Sequence, residues 1–176
     1  STVMPNMLPN LREFLIAWMH VKNEVMQGNA GLQLSINSTD EKARNFLFSE
    51  NVLSLEKIAY HVNHMKGKGR KIALNFALSD FPIDGVILRK YFDPEKFMCK
   101  ITPMHKTHSA EEANLRTTGG YDSYYPYEAV ENDLKNNGYD VIVFIPSIEE
   151  DLGRITCGNA ILSGSLPEVP YEECVI

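Results

Sequence analysis

The chain has 176 residues, 44% hydrophobic and 23% charged, the proportions of one soluble globular domain with a sizeable core. A net charge of -6 counts against nucleic-acid binding through a wide basic surface. A mean hydropathy of -0.22, the shortness of apolar runs such as "VIVFI" and a start, "STVMPNMLPN", without basic or apolar signal regions argue against a membrane span or a secretory leader.

Leu11, Phe14, Leu15, Trp18, Met19 and Val21 recur at helical spacing, and "QGNAG" closes that helix. "GLQLSIN" alternates, with Leu32, Leu34 and Ile36 on one side and Gln33, Ser35 and Asn37 on the other, and so reads as a strand. "STDEKARNFLF" follows as a short helix capped by Ser38 or Thr39, with Asp40 and Glu41 in its first turn. "LSLEKIAYHVNHMKGKG" is a second amphipathic helix, and "KGKGR" is its closing turn.

"KIALNFAL" is a strand, a nearly continuous apolar run broken by Asn75. "FPIDGVILRKYFD" gives a helix and "FMCKITPM" the third strand. His105 to Asp122 reads as a long polar loop, with "TTGGYD" marking its turns. A helix then opens near Pro126 and closes at Gly138, and "YDVIVFIP" is the fourth strand. The Pro-rich tail, 163–176, is weakly patterned.

Strands alternating with helices, most of the strands apolar on both faces, imply an α/β fold with a parallel sheet covered by helices. About four strands are few for such a sheet, so the expectation is part of a larger (β/α) barrel spanning 1–162. Ligands of parallel sheets bind outside the carboxyl ends of the strands. Those ends carry Ser35 and Asn37, then Asn75, Ser79 and Asp80, then Thr102, His105, Lys106 and His108, then Ser147, Glu149 and Cys157. Such hydroxyls, amides and imidazoles suit a nucleoside or amino-acid ligand, and neither GxxxxGK[ST] nor GxGxxG is present to cradle phosphate.

Cys99, Cys157 and Cys174 are widely spaced and form no CxxC, which argues against a disulfide scaffold or a structural zinc and for a reducing cytoplasm. Cys99, inside a strand, reads as core, and Cys174 as a surface thiol. Cys157 stands in "TCGNA", just past the fourth strand, and is either a small buried residue or a reactive thiol. His105 and His108 lack a third metal ligand at clear spacing, so loop histidines are the simpler reading; His61 and His64, at i and i+3, read as surface residues of a helix. The tyrosines of "GGYDSYYPYE" fit a packed helix entrance better than a base-stacking platform.

Four segments, in order, resemble the C-terminal half of radical S-adenosylmethionine enzymes, nearest the group of ribosomal RNA adenine C2-methyltransferases. "STVMPNMLPNL" resembles V-S-T-x-G-x-x-P; "LQLSINSTDEKARNFL" resembles L-A-x-S-L-H-A-x-x-x-x-x-R, with Ser35 and Arg44 in place. "CKITPMHKT" resembles N-L-I-P-x-N-P, and "EEDLGRITCGNAI" resembles G-D-D-I-x-A-A-C-G-Q-L. The resemblance implies that Ser1, Ser35, Ile36, Asn37 and His105 contact S-adenosylmethionine, and that Cys157 carries the transferable methyl group or lies beside the substrate. Asn37 stands where the family has His, and His105 where it has Asn.

The family's cluster loop, C-x-x-x-C-x-x-C, does not occur in these residues, and its place is upstream of the segment matching Ser1. The chain is therefore expected to be part of a larger enzyme. The missing N-terminal half would be its partner and hold the 4Fe–4S cluster, RNA would be a candidate substrate, and the chain alone would be inactive. The competing expectation is a non-catalytic α/β module that binds a nucleoside-like ligand or a partner protein.

Overall fold

In the computed structural model, the residues described are 2–3, 10–48, 50, 52–104, 108–116 and 124–146. They form an α/β fold: a parallel sheet flanked by helices. The four expected strands are present: β2 (Gln33–Ser35), β3 (Ile72–Leu78), β4 (Phe97–Pro103) and β5 (Val141–Val143). A two-residue strand the sequence pattern did not announce, β1 (Thr2–Val3), pairs with β2 at the edge. All pairings are parallel and the strand order is sequential, β1-β2-β3-β4-β5.

Sequential order decides which side is covered. Each right-handed crossover between neighbouring parallel strands puts its helix on the same face. A doubly wound sheet escapes this by reversing its order; here no reversal occurs among the described strands, so the sheet is wound one way, as in a barrel wall. The crossovers carry α1 (Leu11–His20), α2 (Glu41–Leu47), α3 (Leu55–Asn63), α4 (Gly85–Tyr91), α5 (His108–Glu112) and α6 (Tyr125–Asn136). α1 packs on α3, α3 on α4 and α4 on α6. α5 lies where a continuous loop was expected.

The helices bury Leu11, Leu15, Ile58, Val62, Leu88, Tyr127 and Leu134 in one cluster with Leu34, Leu74, Phe76, Phe97, Cys99 and Ile101 of the strands. β3 and β4 alternate strictly between buried and half-buried positions. Among the described residues the helices thus cover one face of the strands, where the composition suggested both. Gln33, Ser35, Ala73, Asn75, Ala77, Met98, Lys100 and Thr102 are half-buried on the other face, where Ile142 is 50% and Phe144 48% exposed.

The helix starts are set by local hydrogen bonds. The Ser54 hydroxyl accepts from Lys57 N–H and the Asp84 carboxylate from Ile87 N–H. α2 is capped by Asp40, which accepts from Ala43 N–H at 2.7 Å. The expected caps, Ser38 and Thr39, are buried and tied elsewhere: both hydroxyls donate to Pro82 O, at 2.7 and 3.3 Å. A tertiary contact with the turn after β3 has taken them from the helix. α1 runs into a wide π-type turn, Val21–Val25, which brings Lys22 under the sheet's amino end.

Candidate functional site: the open face and carboxyl end of the sheet

Register places one polar row across the open face. Ser35 lies opposite Asn75, Asn75 opposite Lys100, and Lys100 opposite Ile142. Asn75 is flanked on its own strand by Ala73 and Ala77, so small side chains let a ligand approach the middle of the sheet closely. The Asn75 carbonyl oxygen (Oδ1) is buried and has no hydrogen-bond partner among the described residues. The same holds for Ser79 Oγ, just past the end of β3. A buried acceptor without a donor costs about 1–3 kcal/mol, and such an atom in a native fold points to a group that completes it. Lys100 holds its ammonium 5.0 Å from the centre of the exposed Phe144 ring.

The chain leaves β2 through a shaped turn. Ile36 N–H donates to Asn75 O at 2.9 Å, and Asn37 N–H donates to the same oxygen at 3.1 Å. Asn37 sits at φ 62, in the left-handed region, and its Oδ1 accepts from Ala77 N–H at 3.1 Å. Asn is among the residue types enriched at positive φ, so it suits this backbone. Thr39 N–H donates to Pro82 O at 3.0 Å and Thr39 Oγ1 accepts from Asp84 N–H at 2.9 Å, clasping the turns after β2 and β3 together.

Arg44 braces this turn from beneath. It is fully buried, and its Nη1 donates to Ile36 O at 2.6 Å and its Nη2 to Leu53 O at 3.0 Å. Its guanidinium lies 5.9 Å from the Phe48 ring centre and its Nε is 3.6 Å from Glu41. Burial pulls its pKa down to about 10, against the opposing pull of Glu41, so it remains a cation at neutral pH.

The expected ligand-contacting residues therefore differ in what they can offer. Ser35 faces the open side. Ile36 is buried among the helix-side residues, and both its backbone groups are engaged within the fold. Asn37 uses its side-chain oxygen to end β3, which leaves its amide nitrogen for a ligand. Ser1, His105 and Cys157 lie outside the described residues. The alternation of Lys100 and Thr102 in β4 was visible in "FMCKITPM", and period two was the signal for their face.

Beside the end of β3 a cleft of about 320 Å³ is lined by Phe46, Ser79, Asp80, Phe81, Leu115 and Arg116. Phe46 and Phe81 meet tilted at 54°, their ring centres 5.9 Å apart. Spacing in the sequence gave no sign of it, because α2, the turn after β3 and the segment after α5 meet only in the fold.

Apart from the Lys100 ammonium, the donor set of this face is hydroxyl and amide groups, suited to the hydroxyls, amine and carboxylate of a nucleoside or amino acid. A metal cluster does not fit it. Among the described residues no three His, Cys, Asp or Glu side chains are grouped to hold a metal. Cys99 is fully buried on the helix side, where burial pushes its thiol pKa far up. Among the described residues no helix is long and apolar enough to cross a membrane.

No protein-family model matches the chain, and no curated protein matches it. Four chains of solved structures do, among them a radical SAM methyltransferase from Sphaerobacter thermophilus, at 15% identity and a TM-score of 0.43. That match covers 66% of this chain and 34% of the other, so the chain spans about a third of that protein's length.

Proposed function

We propose that the open face and the carboxyl ends of β2, β3 and β4 form part of an S-adenosylmethionine pocket. The enzyme would be a radical S-adenosylmethionine enzyme of methyltransferase type, nearest the RNA adenine C2 group. The observation that carries the reading is the Ser35–Asn75 pair, in register on the face away from the described helices, with Asn75 Oδ1 buried and without a hydrogen-bond partner among the described residues. The four ordered sequence segments support it. Ser35, the amide nitrogen of Asn37 and Asn75 would hold the ligand, and Arg44 fixes the turn that presents Asn37. Ser1 and His105 are assigned to the same pocket by resemblance. Bound S-adenosylmethionine supplies a sulfonium centre that can release a methyl or a 5′-deoxyadenosyl group. Cys157 is assigned the thiolate that carries the methyl group, and the cluster ligands are assigned to the N-terminal half of the intact protein.

The test is calorimetric titration of the intact protein with S-adenosylhomocysteine, wild type against Ser35→Ala and Asn75→Ala. Loss of a hydrogen bond to a buried acceptor predicts about tenfold weaker binding for each. Asn75→Ala should at the same time leave thermal stability unchanged or raised, since it removes an unpaired buried acceptor. Equal affinity in all three proteins would remove this face from the pocket. Cys157→Ala separates an enzyme from a binding module: a methyl carrier loses turnover, and a module loses nothing.

A further inference from the structure

The opposite end of the sheet has a different chemistry. At the amino ends of β3 and β4 a cleft of about 370 Å³ is lined by Lys22, Lys66, Arg70, Lys71 and Lys96, with Glu95 the one acidic residue among its lining. Five of the chain's 17 Lys and Arg residues thus surround one cavity in a protein of net charge -6. Its size is that of a small-molecule site.

The cleft is built rather than incidental. Its rim is the "KGKGR" segment, and that segment is tied down at several points. Asn23 Nδ2 donates to Lys66 O at 2.7 Å, and Lys68 N–H donates to Asn23 Oδ1 at 2.8 Å. Arg70 N–H donates to Gly28 O at 3.1 Å. Gly69, at φ +70, crosses Gly28 so closely that a Cβ would lie 2.5 Å from Gly28 O. Lys22, 0% exposed, lines the cleft and donates from its ammonium to Lys68 O and Gly28 O, two acceptors for three N–H groups.

The five cations are not equally engaged. Lys71 pairs with Asp140 at 2.7 Å, and Lys96 donates to Asn63 O at 3.3 Å. Lys66 and Arg70 are exposed and have no ion-pair partner among the described residues. Burial and the neighbouring Arg70 both lower the Lys22 pKa, so like charges are held together here. An anion in the cleft would offset that repulsion.

We propose that this cleft is a binding site for a phosphate-bearing ligand, either a free polyphosphate or nucleotide or the phosphodiester backbone of RNA. It stands independently of the reading of the carboxyl end. A dianionic or polyanionic group matches a cluster of cations carried on a segment whose backbone is held by Asn23 and Gly28.

The probe is inorganic tripolyphosphate, titrated into the full chain at about 50 mM ionic strength, where exposed charges are weakly screened. Amide shifts are followed by nitrogen-15 NMR. Shifts should concentrate at Gly67, Gly69 and Arg70, and Lys66→Glu with Arg70→Glu should weaken binding at least about tenfold. The control is Lys42→Glu with Lys57→Glu, two exposed cations in the first turns of α2 and α3 and outside the cleft's lining, which should change affinity less than about twofold. A single-stranded RNA decamer is then compared. Binding tighter than tripolyphosphate through the same residues identifies the phosphodiester backbone, and weaker binding identifies a free polyphosphate. No shifts in the 64–71 segment, or equal weakening by both double variants, would overturn the proposal.

Discussion

Arg44 is the residue on which the shape of the candidate site depends, and its replacement by Met tests that dependence. Met keeps much of the apolar stem and removes the planar fork. Two carbonyls lose a donor, Ile36 O at 2.6 Å and Leu53 O at 3.0 Å. The losses are unequal. Ile36 O keeps Ser38 N–H at 2.9 Å, so its cost sits at the low end, about 1 kcal/mol. Leu53 O loses a charge-assisted donor, and an unsatisfied buried acceptor costs about 1–3 kcal/mol. Removing a buried cation returns some desolvation energy, because its partner Glu41 is 45% exposed and can turn to water. The net expectation is about 2–3 kcal/mol of lost stability. With a urea slope of about 2 kcal/mol/M, the unfolding midpoint falls by about 1–1.5 M at unchanged slope. Affinity for S-adenosylhomocysteine should fall as well, since the turn that holds Asn37 at positive φ loses its brace. A midpoint within about 0.2 M of wild type would mean that water replaces the guanidinium, and Arg44 would then be no brace.

Asn37 carries both a backbone and a side-chain duty, and two substitutions separate them. Asn37→Gly keeps the left-handed conformation and loses only the bond to Ala77 N–H, about 1 kcal/mol, whereas Asn37→Ala adds about 1–2 kcal/mol of strain; urea unfolding of the pair should rank Gly above Ala, and the reverse order would refute the positive φ. Cys99 should resist alkylation by iodoacetamide in the native protein and react fully after unfolding, as read by mass spectrometry of the labelled peptides; rapid native labelling would contradict its complete burial.

The four main strands were legible because each is a short apolar run bounded by turn residues. The side they expose was not. Ala73 and Ala77 are apolar by type, so β3 read as a strand buried on both faces, while its true marker was Asn75 between them. In β4 the marker was Lys100 with Thr102, two residues apart and opposite Asn75 and Ala77. β1 is two residues long and has no period to detect. The cap of α2 was misread because "STD" offers three good caps in a row, and the choice among them is made by Pro82, more than forty residues away. Arg44 matched a family pattern, yet nothing in one sequence announces an arginine with no exposed surface. In the basic cleft, "KGKGR" was plain as a charged turn, but Lys22 and Lys96 join it only through the π-type turn after α1 and the approach to β4.

The two ends of the sheet are independent in a way that governs how substitutions at either are read. On β3, Asn75 is three residues, roughly 10 Å at about 3.3 Å per residue, from the basic cleft at Ile72, and the Ser79 hydroxyl is seven residues, roughly 23 Å, from it. Asn75 thus lies about one Debye length, about 8 Å at physiological ionic strength, from the cleft's edge, and Ser79 more than twice that. Charge reversal at Lys66 and Arg70 therefore acts chiefly at the amino end, and the hydrogen bonds of Ser35, Asn37 and Asn75, which carry no charge, respond little to it. The strand between them is rigid, and its buried face is fixed by Leu74, Phe76, Cys99 and Ile101. Effects at separated sites add unless the fold itself is changed. A variant that weakens ligand binding at both ends has thus disturbed the shared sheet, and one that weakens binding at a single end reports on that site alone.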